Sequence, residues 1–170
     1  MTFDLPTLKS VVREGCVVLG SRGCGKSNLG MILCNELRSH GAIIRCFDSS
    51  LQWKRRSDFK VHDLSTMTCL EMQTFTNQLC QRYFWKWVNF ARQGITVRPL
   101  VLIFEEVQNL LGTNRLRAKE NSEVLRYFTQ GRNFNLSYIA ISQKPQLVDS
   151  NIVELSGVRI FMKSEGDRTK

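Results

Sequence analysis

The sequence predicts an α/β domain built on a mainly parallel, doubly wound sheet flanked by helices. Three observations carry this. Short apolar runs recur along the chain, segments of helical periodicity separate them, and polar residues of catalytic type stand directly after several of the runs. Strand-helix-strand units of this length return the chain parallel to itself through a right-handed crossover. Ligands of such sheets bind beyond the strand carboxyl ends, which is where the polar residues stand.

In chain order, residues 1–14 form a leader without a clear structural signal, and Cys16-Val17-Val18-Leu19 reads as the first strand. It runs into Gly20-Ser21-Arg22-Gly23-Cys24-Gly25-Lys26-Ser27, a full match to G-x-x-x-x-G-K-[ST]. A helix-forming segment, Asn28 to Leu37, follows. Strand, glycine loop and helix together define a P-loop. Gly20, Gly23 and Gly25 let the backbone turn with positive φ and approach phosphate oxygens that a Cβ would obstruct. Lys26 then supplies a point charge to the β- and γ-phosphates, Ser27 a hydroxyl to Mg²⁺, and the helix start adds to the anion field. A random chain of this length shows the pattern roughly once in a hundred cases, so a nucleoside triphosphate, ATP with Mg²⁺, is the expected ligand.

Ser39-His40-Gly41 closes that helix, and Ala42 to Phe47 forms a second strand ending at Asp48-Ser49-Ser50. Val61 to Ser65 is a short extra strand. Between Thr68 and Gln93, Met72, Phe75, Leu79, Tyr83, Trp87 and Phe90 recur every three or four residues, which predicts a long helix with one apolar, aromatic face for the core or a subunit interface. Gly94 ends it. Leu100-Val101-Leu102-Ile103-Phe104 is a continuous apolar run, as expected of a strand buried on both faces. A helix from about Lys119 to Gln130, a strand over Asn135 to Ser142, a short helix near Asn151 to Leu155 and a last strand, Val158 to Met162, complete one domain over residues 1–170.

Hydrolysis of a bound triphosphate needs metal ligands, a group that orients or deprotonates water, and positive charge on the γ-phosphoryl group. Glu105 and Glu106, directly after the central run, supply the first two: Glu105 toward the Mg²⁺ shell through water, Glu106 as the base. Gln143, at the tip of the next strand, is placed to sense the γ-phosphate or to orient water. Asp48 either supports the site or caps a turn. Arg126 or Arg132, before that strand, supplies the positive charge, Arg132 preferred, and in ring-shaped ATPases such an arginine reaches the neighbouring subunit. Lys54-Arg55-Arg56 and the cations Arg115, Arg117 and Lys119 are candidate contacts to a nucleic-acid backbone.

The formal net charge of +9 favours a polyanionic partner. Six cysteines without any C-x-x-C pair argue against a zinc or redox motif and for reduced thiols, Cys16 and Cys46 in strands and Cys34 in a helix. No apolar run reaches the ~20 residues of a membrane span and the first residues lack a signal-peptide core, so an intracellular, soluble protein of the cytoplasm is expected.

The chain resembles the HerA–FtsK superfamily of DNA-pumping ATPases, especially its small viral genome-packaging branch. Beyond the P-loop, the resemblance is carried by Ile43 to Trp53, by Leu100 to Leu110 with its acidic pair, and by the arginine, glycine-arginine, strand, glutamine series from Arg126 to Pro145. It implies an extra strand between the P-loop strand and the acidic-pair strand, and a homo-hexameric ring with arginines acting between subunits. Double-stranded DNA threads that ring. The family usually has Asp where Glu105 stands. The absence of the larger members' accessory domains favours a compact motor that packages viral or plasmid DNA into a procapsid, with a capsid or portal-like partner at the capsid vertex and the host cytoplasm as its location. The alternatives are an ATPase of phage assembly or secretion, and a nucleotide-switched nucleic-acid-binding protein.

Overall fold

The computed structural model describes residues 4–54, 57–111 and 121–163. Six strands form one all-parallel sheet: β1 (Cys16–Gly20), β2 (Ile43–Asp48), β3 (Lys60–Asp63), β4 (Leu100–Phe104), β5 (Leu136–Ser142) and β6 (Val158–Met162). Their spatial order is β3-β2-β4-β5-β1-β6. The expected extra strand is therefore β5, inserted between β1 and β4, and the chain has the α/β P-loop NTPase fold.

Every residue of β1, β4 and β5 is buried, which is why β4 reads as an unbroken apolar run rather than an alternating one; in β5 the buried Ser137 and Ser142 interrupt the run. Successive side chains enter opposite layers. Val101 and Ile103 pack with Leu29, Leu33 and Leu37 of α2 (Lys26–Ser39) and with Leu8 and Val11 of α1 (Leu5–Glu14). Leu100, Leu102 and Phe104 face the other layer, where they meet α3 (Cys69–Arg92), α4 (Val107–Leu111), α5 (Ser122–Gln130) and α6 (Ser150–Leu155).

Two expectations need correction. The leader is a helix: Asp4 caps α1 by accepting from the Thr7 N–H at 2.9 Å, Pro6 sits in the first turn, and Gly15 ends the helix at φ 77°. Only two of its ten residues, Leu8 and Val11, are buried, so the apolar signal was short. In α3 the core face is turned from the expected stripe. Met72, Leu79 and Trp87 are buried as expected, but Thr76, Cys80, Phe84 and Val88 complete the face, whereas Phe75, Tyr83 and Phe90 lie at its margin. Aromatic residues at the margin can keep an edge in solvent, and the buried face packs against α4 and α5. The predicted α5 start at Lys119 lies outside the described residues.

All six cysteines are free, with Cys16, Cys34, Cys46 and Cys80 buried. His62 on β3 stacks on Phe47 (5.6 Å between centroids), meets Phe75 edge-on, and lies 3.3 Å from the Tyr83 hydroxyl. Burial, reinforced by the nearby charges of Lys60 and Arg45, pushes its pKa down to about 4. A histidine held neutral in the fold protonates more readily in the unfolded chain. The stability contributed by His62 is therefore expected to be full above about pH 6.5 and to be lost as pH drops toward 4. Urea denaturation of wild type and His62→Gln at about pH 7 and pH 5 checks this: the wild type is expected to lose stability relative to the variant as pH falls from the first to the second.

Candidate active site

Three adjacent strands, β4, β5 and β1, deliver their carboxyl ends to one place. The loop after β1 turns through Gly23 (φ 81°) and Gly25 (φ 91°), the second of which is the N-cap of α2. Gly20 is required for a different reason from the one expected. Its φ is not positive, but a Cβ there would strike the Met162 carbonyl of neighbouring β6 and come within 2.8 Å of the Cys24 sulfur. Lys26 is buried at the helix start, with Nζ donating to the Ser21 carbonyl at 2.8 Å.

β4 ends in the acidic pair. Glu105 is 1% exposed and its two oxygens are divided: Oε1 accepts from Ser27 Oγ at 3.1 Å and Oε2 from the Trp53 indole N–H at 2.8 Å. Burial pushes its pKa up to about 7; the Trp53 and Ser27 hydrogen bonds pull it down, and the Glu106 and Asp48 charges raise it. Glu106 has φ 53°, a left-handed conformation that costs a non-glycine residue energy and is concentrated at functional sites. Its Oε2 accepts from Gln108 Nε2 at 2.7 Å and from the Gln143 N–H at 3.3 Å. Gln108 in turn accepts from Ser142 Oγ at 2.7 Å. One carboxylate oxygen of Glu106 is thus tied to the tip of β5.

These groups share one cleft of about 610 Å³, lined by Arg22, Lys26, Ser27, Glu105, Glu106 and Gln143, with Gly23 and Gly25 from the loop and Ser50 and Gln52 from the turn after β2. The loop at Lys26, both carboxylates and the Gln143 residue do converge. Among the described residues no cluster of three His, Cys, Asp or Glu could hold a metal ion. The donor set instead fits Mg²⁺, which takes one or two protein oxygens and completes its shell with water and phosphate; Ser27 and Glu105, hydrogen-bonded at 3.1 Å, are the residues that would supply those oxygens.

Asp48 caps the turn after β2 and reaches the site only through that turn. Fully buried, it accepts from Ser50 N–H and Oγ with one oxygen and from the Trp53 and Lys54 N–H groups with the other, so it caps the turn and does not line the cleft. Arg132 lies in a 3-10 turn, Gly131–Phe134, that precedes β5. It lines a separate cavity of about 400 Å³ with Arg13 and Arg159, at the amino end of the sheet, away from its own chain's cleft. Arg126 is engaged locally, 2.9 Å from Glu123 Oε2 and over the Trp85 ring at 5.5 Å. Lys54 pairs with Asp63 at 3.0 Å, while Arg55, Arg56, Arg115, Arg117 and Lys119 lie outside the described residues.

Sequence reasoning missed Trp53 and Gln108. Trp53 sits in a basic, aromatic stretch with no periodicity, and Gln108 is one amide among several; neither pattern reveals a partner tens of residues away.

By sequence, no family model matches the chain and no curated protein is similar to it. Solved structures are similar in fold. The genome-packaging NTPase B204 from Sulfolobus turreted icosahedral virus 2, in complex with ATP-gammaS, superposes with a TM-score of 0.64 at 15% identity over 88% of this chain and 75% of that one. The pCW3 conjugation coupling protein TcpA gives 0.59 at 13% identity over 89% of this chain and 49% of that one. The cytoplasmic domain of the Thermomonospora curvata Type VII secretion ATPase EccC gives 0.61 at 16% over 89% and 19%. The chain spans about half the length of TcpA and about a fifth of the EccC domain. At these identities the shared property is the fold.

Proposed function

We propose that the protein is an ATPase of the HerA–FtsK type that moves double-stranded DNA, acting as a homo-oligomeric ring and packaging viral or plasmid DNA. The observation that carries the reading is the single cleft joining Lys26, Ser27, Glu105, Glu106 and Gln143. Loop N–H groups and Lys26 hold the phosphates of ATP. Ser27 and Glu105 hold Mg²⁺, which neutralises phosphate charge. Glu106, fixed through Oε2 by Gln108 and the Gln143 N–H, keeps Oε1 for the attacking water, and the Gln143 side chain meets the γ-phosphate. Transition-state charge is met by Arg132 of a neighbouring subunit, a reading supported by its place at the opposite end of the sheet from its own cleft. The domain comprises the whole of residues 1–170, and the net charge of +9 suits a nucleic-acid substrate.

The fold likeness to B204, a genome-packaging NTPase, supports packaging as the task, with a capsid or portal-like partner and the host cytoplasm as the setting. A second reading, a motor for assembly or secretion, is favoured by the likeness to a Type VII secretion ATPase. Among the described residues no helix is long and apolar enough to cross a membrane.

ATP hydrolysis measured with and without duplex DNA separates the two. Under the packaging reading, turnover by the assembled protein rises on adding duplex of any sequence, and the rise fades between about 50 and 200 mM salt as counterions compete for the phosphates. Turnover indifferent to DNA at low salt would refute a DNA motor and leave the secretion reading.

A further inference from the structure

We infer that Trp53 is a positioning residue for the magnesium site: its indole N–H holds Glu105 Oε2 so that Oε1 alone is presented to Ser27 and the divalent cation. The inference rests on the Mg·ATP reading of this cleft. The indole is fully buried and its N–H, which can only donate, ends 2.8 Å from Glu105 Oε2. The backbone on either side is fixed as well. Asp48 accepts from the Trp53 N–H at 2.9 Å, so the turn that follows β2 sets where the ring enters.

The opposite wall is cut to fit the ring. Gly30 is the fifth residue of α2, the helix that begins at the P-loop, and a Cβ there would lie 3.1 and 3.2 Å from the indole Cη2 and Cζ2 atoms and 2.9 Å from Ile141 Cδ1. The ring is thus wedged between the P-loop helix and the end of β4. Phe59 packs beside it, with centroids 6.0 Å apart.

A clamp has a physical use at this position. A glutamate has one more rotatable bond than an aspartate, and this one is buried beside two other carboxylates, Glu106 and Asp48. Left unheld, its carboxylate has other rotamers and other hydrogen-bonding directions. The indole fixes one oxygen, and Ser27, itself a proposed metal ligand, is reached only by the other. Groups that orient a metal's ligands typically change metal affinity by about 10–100-fold when removed.

Two measurements test this. In the first, Mn²⁺ binding to the protein saturated with ATP-gammaS is followed by electron paramagnetic resonance for wild type and Trp53→Phe, which keeps a ring and removes the N–H. Mn²⁺ affinity is expected to fall about 10–100-fold, with cation-free nucleotide affinity within about twofold of wild type. In a Glu105→Asp background, whose side chain is too short to reach the indole, Trp53→Phe is expected to cost nothing further. Unchanged Mn²⁺ affinity, an equal loss of nucleotide affinity with and without cation, or a full further loss in the Glu105→Asp background overturns the inference.

The second measurement needs neither nucleotide nor a Trp53 variant. In ¹⁵N-labelled protein the buried indole N–H resonance is expected to be protected from exchange, and Glu105→Ala to shift it and speed its exchange. A resonance indifferent to Glu105→Ala overturns the clamp, also where Trp53→Phe does not fold. Because that spectrum is recorded without ligand, a failed clamp remains distinguishable from a failed Mg·ATP reading.

Discussion

Glu106→Gln is expected to lower ATP turnover by about 10²–10⁴-fold while ATP-gammaS binding stays close to wild type. The substitution preserves shape and both hydrogen-bonding arms of the side chain's environment, but an amide cannot take a proton from water. Its cost therefore falls on the chemical step and not on nucleotide affinity. Glu106 is the residue to test because of how it is held. Its backbone occupies a left-handed conformation at φ 53°, and Gln108 and the Gln143 N–H both grip Oε2, so under the proposed mechanism Oε1 is the oxygen that takes the proton from water. Single-turnover hydrolysis beside equilibrium binding decides the matter. A Glu106→Gln enzyme with normal turnover would remove Glu106 from the role of base.

Lys26→Ala is expected to abolish measurable turnover and to weaken nucleotide binding as well. Hydrogen bonds to charged groups contribute about 1.5–3 kcal/mol each, so loss of the ammonium predicts a roughly 10–100-fold rise in Kd. Without it, charge accumulating on the γ-phosphoryl group also lacks its nearest cation. The contrast with Glu106→Gln is informative: one variant loses turnover at near-normal affinity, the other loses turnover and binds more weakly. Mixed rings extend the test. Lys26→Ala subunits retain Arg132, so mixing them with Arg132→Ala subunits, each inactive alone, is expected to restore part of the activity if Arg132 acts on a neighbour's nucleotide. No recovery in a ring shown to contain both subunits would rule that out.

Much of the site was legible because it depends on order along the chain. A glycine loop between a strand and a helix, an acidic pair after an unbroken apolar run, and a glutamine after the next one each carry a local signature, and in a parallel sheet strand ends of one kind gather on one edge. The all-parallel pairing and the insertion of β5 between β1 and β4 agree with that reading. The amino-terminal helix was not legible, because two buried residues give too weak a period. In α3, the register of the buried face was set by packing against α4 and α5, which no local pattern encodes, so Thr76 and Cys80 are buried while Phe75, Tyr83 and Phe90 lie at the margin.

The amino-acid sequence by itself therefore determined the class of fold and singled out Lys26, Ser27, Glu105, Glu106 and Gln143, which the fold brings to one cleft. Only the tertiary structure decided that Asp48 caps a turn, that Arg132 faces away from its own cleft, that Trp53 holds Glu105 and that Ser142 holds Gln108. The reason is one of range. Loop, strand and helix signatures arise from neighbours in the chain, whereas Trp53 meets Glu105 across 52 positions and Ser142 meets Gln108 across 34, contacts that exist only once the sheet has brought its strand ends together.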